Sequence, residues 1–191
     1  MKRILIALFL VLSLIICLPS CGEKIEENPD FATYNELFNK TFENYTIDVS
    51  VTGINGDVLN EQYVVTTEDG VRSVAYSIER LNQFEIEGDL INVPGNYVSV
   101  TTGEYSTEES KSQGFDVPKF NFSYKCLNDK EVAFANSYST GVTSVKDFMG
   151  LDVNATNGQV KLEYKGEKVI SISVSFLTEA KSTVVITYTF N

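Results

Sequence analysis

The sequence predicts an α+β fold, in which a few helices cover one face of an antiparallel β-sheet. Most of the chain beyond position 45 consists of short runs that alternate apolar and polar residues, as strands with one buried face do. Apolar residues recur at helical spacing mainly near 30–44 and 142–149. The polar partners in the strands are mostly Ser, Thr, Lys and Glu, so one sheet face meets water and the helices must cover the other.

The first twenty residues have the pattern of an export signal. Lys2 and Arg3 precede an apolar run over 4–16 that is interrupted only by Ser13. This run is shorter than the roughly 20 residues that a membrane-spanning helix needs. We therefore interpret residues 1–20 as a signal peptide.

The sequence Leu18-Pro19-Ser20-Cys21 resembles the lipobox of bacterial lipoproteins. The resemblance implies cleavage between Ser20 and Cys21 and acyl chains such as palmitate on Cys21, although Pro19 departs from the residues commoner at that position. It also implies a lipid anchor on the extracytoplasmic face of a bacterial membrane. A cleaved soluble protein and an uncleaved anchor are the alternatives. We divide the chain into signal peptide 1–20, acylated cysteine and tether 21–29, and a single domain 30–191.

Charge and composition exclude several classes of function. The chain has 26 acidic and 15 basic residues, a net charge of −11, and no histidine. Nucleic acid is therefore not an expected partner, since a phosphate-binding surface must be basic. Without histidine, the usual general base of a serine nucleophile is missing, and we predict neither an enzyme nor a cofactor. Beyond Cys21 the single cysteine is Cys126, which we interpret as a buried thiol.

The first half of the domain predicts one helix and an antiparallel meander. Asn28 or Asp30 can cap a helix over 30–44, with Pro29 near its first turn. Alternation then predicts a strand over 45–52 and a hairpin turn over 53–57. Further strands are predicted around Tyr63 and Val65, Val74 to Ile78, and Phe84 to Ile86.

The second half predicts a loop, a short strand, helical turns and three closing strands. The polar stretch 103–117 predicts a long exposed loop. Phe120, Phe122 and Tyr124 alternate as a strand would, and helical turns are predicted near 129–137. A helical stripe of Val142, Val145, Phe148 and Met149 ends at Gly150. Alternating runs over 160–164, 170–176 and 184–190 predict the last strands.

Two groups of oxygen-bearing side chains are candidates for chemistry, and both have simpler interpretations. One group falls near the offsets of an EF-hand calcium loop, but its glycine is one place late and a strand follows it: Asp152, Asn154, Thr156, Gly158 and Glu163. Glu85, Glu87 and Asp89 share one strand face at about 6.8 Å per two residues, a separation that glycoside hydrolases use. For the first group we favour a glycine turn that leads into a strand, and for the second a solvent-exposed strand face.

Arg72, Tyr76 and Arg80 are the candidate ligand-binding residues. The two arginines share the phase of Val74, Tyr76 and Ile78, which we assign to the inward face of the sheet. An inward arginine at each end of an apolar strip can bind a phosphate or carboxylate head group through its planar fork. Snorkelling at strand ends, or pairing with a nearby carboxylate, is the alternative.

The order of these elements resembles the LolA/LppX-type lipoprotein-carrier fold over residues 30–190. That resemblance implies a curved antiparallel sheet, an incomplete half-barrel covered by two or three short helices, around an apolar hollow. It also implies non-catalytic binding of an apolar or lipid-like ligand. The alternative is a surface-tethered protein-interaction or structural module without a ligand cavity, whose protein partner the sequence does not identify.

Overall fold

The computed structural model describes residues 29–81, 83–86, 89–92, 98–107, 109, 113–128 and 137–191, with the backbone alone described in 29–30, 83–86 and 89–92. The signal peptide, Cys21 and most of the tether lie outside these residues, as do the side chains of Glu85, Glu87 and Asp89. Of the helical turns predicted near 129–137, residues 129–136 also lie outside, and Ser137 begins a strand. None of the described helices is long and apolar enough to cross a membrane.

The described residues form ten strands and two short helices. In chain order these are α1 (Pro29–Phe38), β1 (Tyr45–Thr52), β2 (Val58–Glu68), β3 (Val71–Leu81), β4 (Gln83–Ile86), β5 (Asp89–Asn92), β6 (Val98–Tyr105), β7 (Ser137–Val142), α2 (Val145–Met149), β8 (Ala155–Lys165), β9 (Lys168–Thr178) and β10 (Thr183–Phe190). The predicted first strand, its turn and the three closing strands are thereby confirmed.

Eight strands form one antiparallel sheet in the order β6-β3-β2-β1-β10-β9-β8-β7, and β4 and β5 form a separate hairpin. The first and last strands of the chain are neighbours at the centre, where Tyr45 lies opposite Phe190 and Thr52 opposite Thr183. This pairing places α1, which precedes β1, next to the C-terminal strands. It thereby positions the helix over one face of the sheet.

The predicted α+β class is wrong, because the fold is mainly β. The two described helices have ten and five residues, too few to cover an eight-stranded sheet. Much of the cover is instead an extended segment without regular secondary structure, in which Phe115, Phe120 and Phe122 are buried. The sequence pattern could not separate these alternatives, since an extended segment that packs on a core alternates its side chains just as a strand does.

Tertiary contacts also move the helix and loop boundaries away from the predicted positions. Helix α1 ends at Phe38 rather than near 44, because the Asn39 side chain bonds to the backbone of Phe120 and Phe42 turns to stack on Phe190 with ring centroids 3.8 Å apart. The predicted loop 103–117 begins inside β6 and contains the buried Phe115. By contrast, Gly150 caps the C-terminus of α2 as predicted, in the left-handed conformation at φ 72°. The start of this helix was predicted wrongly, since Val142 of the same stripe lies in β7.

A filled aromatic core lies between α1, α2 and the sheet. Tyr34 packs against Phe38, Phe122 and Tyr164, and its hydroxyl is 3.3 Å from that of Tyr164. Phe148 of α2 contacts Phe122 and Phe120 with ring centroids 5.3 and 5.6 Å apart. Since these rings are almost fully buried, this part of the interior holds packed side chains rather than a hollow.

Two asparagines, Asn35 of α1 and Asn39 directly after its last residue, hold the covering segment in place. The Asn35 amide donates to the carbonyl of Phe122 and accepts from its N–H, both at 3.0 Å. The Asn39 amide makes the same pair of bonds to Phe120, both at 2.8 Å. Residues four apart lie on the same helix face, so the two side chains supply the bonds that a neighbouring strand would otherwise make.

Candidate functional site

A cavity of about 290 Å³ opens where the end of α1 meets β1, β3 and the segment 116–119. Its apolar wall comes from both sides of the opening and consists of Phe38, Phe42, Tyr45, Val117 and Pro118. Polar and charged side chains complete the lining: Asn39, Lys40, Thr41, Arg72, Asp116 and Lys119. The arrangement combines an aromatic wall with a charged rim.

Each wall of the cavity has a structural reason for its position. Tyr45 is the first residue of the central strand β1 and is 1% exposed. Phe42 is fixed by its stacking on Phe190 of β10. Residues 116–119 lie between the buried Phe115 and Phe120, and Asn39 binds the backbone of Phe120. The cavity is therefore built by the same contacts that attach the covering segment to α1.

Arg72 is the most constrained charged group of the site. Its Nη1 is 2.5 Å from Asp116 Oδ1, and its Nη2 donates to the Tyr45 hydroxyl at 2.9 Å. The bond to Asp116 is the main reason that the pKa of Arg72 is raised. Burial raises the pKa of Tyr45, so its hydroxyl stays neutral and donates to the Phe115 carbonyl at 2.5 Å. Arg72 thus stays charged at the edge of the cavity.

The charge of the cavity is opposite to that of the chain. The lining includes three of the 15 basic residues, Lys40, Arg72 and Lys119, and one of the 26 acidic residues, Asp116. Within the described part of the chain, neither Lys40 nor Lys119 forms an ion pair. The rim therefore has a net excess of two positive charges, next to an apolar wall.

The other cavities have different chemistry. A cavity of about 340 Å³ on the outer sheet face is lined by Asp48, Glu61 and Glu79 without any basic residue, and by short polar side chains. One of about 450 Å³ lies near α2 and the β9–β10 turn, and its lining contains no aromatic residue. Of these three cavities, the one beside Arg72 alone has aromatic residues in its lining.

The structure separates the three predicted ligand-binding residues. Arg72 lines the cavity, but it also pairs with Asp116, as the alternative interpretation holds. Tyr76 is half-buried, stacks on Tyr105 at 4.7 Å and packs over Gly103. Arg80 lies eight residues from Arg72 on β3, roughly 27 Å along the strand. Tyr76 and Arg80 do not line the cavity.

Sequence reasoning missed most of the cavity. Lys40 and Phe42 fell in a predicted helix, whereas Asp116 and Lys119 belonged to a predicted loop and its flank. One signal was available, since Val117 and Pro118 are flanked by oppositely charged residues directly before the aromatic run that begins at Phe120.

The remaining candidates form no common site. Asp152 pairs with Lys146, Asn154 donates to Glu179 at 2.9 Å, and Glu163 is 2.7 Å from Lys161, so the EF-hand candidates face different partners. Within the described residues, no group of three or more acidic or cysteine side chains is placed to bind a metal ion. Cys126 is a fully buried free thiol.

Comparison with known proteins finds no family. No family model matches the chain. No curated protein matches it either. Among solved structures, a redesigned β-barrel, mFAP1, bound to DFHBI is 10% identical, with 81% of this chain and 96% of that chain covered and a TM-score of 0.22. A de novo designed fluorescence-activating β-barrel is 7% identical, with the same coverage and a TM-score of 0.21. Similarity at this level carries no statement about fold or function.

Proposed function

We propose that this protein is a bacterial lipoprotein, anchored through Cys21 on the extracytoplasmic face of a membrane, whose domain binds an apolar or lipid-like ligand without catalysis. The anchor rests on the lipobox-like Leu18-Pro19-Ser20-Cys21. The binding site is the cavity beside Arg72. The observation that carries the proposal is the half-buried apolar surface of Phe42, Val117 and Pro118 at the opening, which is backed by the buried Phe38 and Tyr45 and lies next to water.

The size of the cavity limits the ligand. At about 290 Å³ it is at the lower end of small-molecule sites, which hold roughly 300–1,000 Å³. The aromatic core beyond it is filled by Tyr34, Phe38 and Phe122. The cavity therefore suits one end of an amphiphile, and the rest of a long chain lies along the surface.

Replacement of Val117 by glutamate should weaken the binding of a neutral fatty probe at least tenfold. Val117 is half-buried in the apolar wall, and a carboxylate there must either lose its hydration or exclude the ligand. The assay uses the chain 22–191, which is the processed chain without its acylated Cys21, and titrates it with an uncharged, environment-sensitive fluorescent fatty alcohol. Native and denaturing mass spectra of the same protein would show any lipid retained during purification.

Val153→Glu is the matched control. This valine is 36% exposed and lies outside the cavity beside Arg72, so the probe should bind as it does to the unaltered chain. Lack of retained lipid, together with lack of probe binding by the unaltered chain, would reject the proposal. Equal binding by all three proteins would place the ligand elsewhere.

A second function, a membrane-tethered protein-interaction module, is favoured by one specific observation. β6 is an edge of the eight-stranded sheet, and Val98 and Val100 on it are 49% and 60% exposed. An exposed apolar edge strand can pair with a strand of another chain. A protein partner without any lipid binding would support this second function over the first.

A further inference from the structure

The excess of basic side chains around the cavity indicates the charge of the ligand's head group. We infer that the ligand is a single-chain amphiphile with an anionic head, a carboxylate or a phosphate monoester, whose head lies between Lys40, Lys119 and Arg72. The inference rests on the proposed function and specifies the ligand class of the same site. The neutral probe described above tests the apolar wall alone.

The charge of this cavity is opposite to the charge of the whole chain. In a chain with a net charge of −11, three cations near one another repel each other and are stabilised by a nearby anion. Asp116 supplies one negative charge, and it is bound to Arg72. Within the described residues Lys40 and Lys119 form no ion pair, so their charges remain available to an anionic ligand.

The basic side chains lie at the mouth of the cavity, and the apolar side chains lie deeper. Lys40 and Lys119 are exposed, while Phe38 and Tyr45 are buried, so the polarity of the lining changes from the interior to the mouth. An amphiphile bound with its first methylenes on the half-buried Phe42, Val117 and Pro118 places its head group beside the lysines at this mouth. A neutral lipid would leave the lysines without a partner, whereas an anionic head would pair with them.

Asp116 holds a position on Arg72 that an anionic head group can take over. Its side chain is 77% exposed although it is paired with Arg72, so it can swing into water without being buried elsewhere. An incoming carboxylate or phosphate can then take its place on the guanidinium, which keeps its bond to Tyr45. Asp116 thus occupies the anion position in this structure.

The test compares ligands that differ only in the head group. The processed chain 22–191, which contains every described element, is titrated by calorimetry with a fatty acid, a lysophosphatidic acid and a fatty alcohol of equal chain length below their micelle-forming concentrations. We expect at least one anionic ligand to bind about tenfold more tightly than the alcohol, and higher salt to reduce this difference. The acid and phosphate arms identify which head group the site prefers.

The matched variants separate the head-group site from general charge effects. Lys40→Gln combined with Lys119→Gln should weaken anionic binding about tenfold and leave alcohol binding unchanged. Lys165→Gln combined with Lys168→Gln makes the same change of charge outside the cavity, at the β8–β9 turn, and should change neither. Equal binding of the anions and the alcohol, or equal effects of the two double variants, would overturn the inference while the apolar site stands. If none of the three ligands binds, the proposed function itself fails.

Discussion

Replacement of Cys21 by alanine should transfer this protein from the membrane fraction to the soluble fraction. Each buried methylene of an acyl chain contributes about 0.8 kcal/mol to membrane binding, so two or three chains together anchor a protein almost irreversibly. The net charge of −11 gives the domain no attraction to anionic head groups that would replace the lipid. The measurement is fractionation of cells that express each version and are labelled with radioactive palmitate.

The matched control for this experiment is Cys126→Ala, since Cys126 is a buried thiol outside the lipobox-like sequence. This variant should stay in the membrane fraction and incorporate palmitate. A Cys21→Ala protein that still sediments with membranes would contradict the anchor. Wild-type protein that incorporates no radioactive palmitate would also contradict the anchor.

Replacement of both Asn35 and Asn39 by alanine should destabilise the domain by about 2–6 kcal/mol. The two replacements leave four backbone groups without a partner at about 1–3 kcal/mol for each fully buried group, and we halve the sum because these bonds are only partly buried. The bonds affected are those to Phe120 and Phe122, whose side chains form part of the aromatic core. The measurement is the free energy of unfolding in urea for the processed chain.

Two further variants make this experiment specific. Asn154→Ala removes an exposed amide that binds only Glu179 within the described residues, and it should change the unfolding free energy by less than about 0.5 kcal/mol. Asn39→Asp keeps the acceptor for the Phe120 N–H and loses the donor to its carbonyl, so its effect should be intermediate. A double variant as stable as Asn154→Ala would show that the covering segment is held by other contacts.

Local patterns in the sequence predicted the strands well but not what covers them. The alternation in β1, β8, β9 and β10 reflects one buried and one solvated face, which is a property of each strand alone. The same alternation at Phe120 and Phe122 comes from a segment whose backbone bonds go to the side chains of Asn35 in α1 and Asn39 just after it. Sequence periodicity indicates which side chains are buried, but it does not indicate which groups the backbone bonds to. The prediction that helices cover the sheet was wrong for this reason.

The cavity was still harder to predict, because its residues come together only through tertiary contacts. Arg72 was chosen as a candidate from its strand phase, and in the structure it lines the cavity. Lys40 and Lys119 are 79 positions apart and line one cavity because the neighbouring Asn39 binds the backbone of Phe120. The spacing of Asn35 and Asn39, four positions apart, was a further signal, and their role is visible only once the segment that they bind is known.

The central claim is that the cavity beside Arg72 is where the lipid-like ligand binds, and photo-cross-linking tests it most directly. The processed chain is irradiated with a fatty acid that carries a diazirine near its head group, and the modified peptides are identified by mass spectrometry. We predict modification within 38–45 and 115–119, reduced by Val117→Glu and retained in Val153→Glu. Cross-links confined to other regions, such as the surroundings of Tyr76 and Tyr105, would contradict the account.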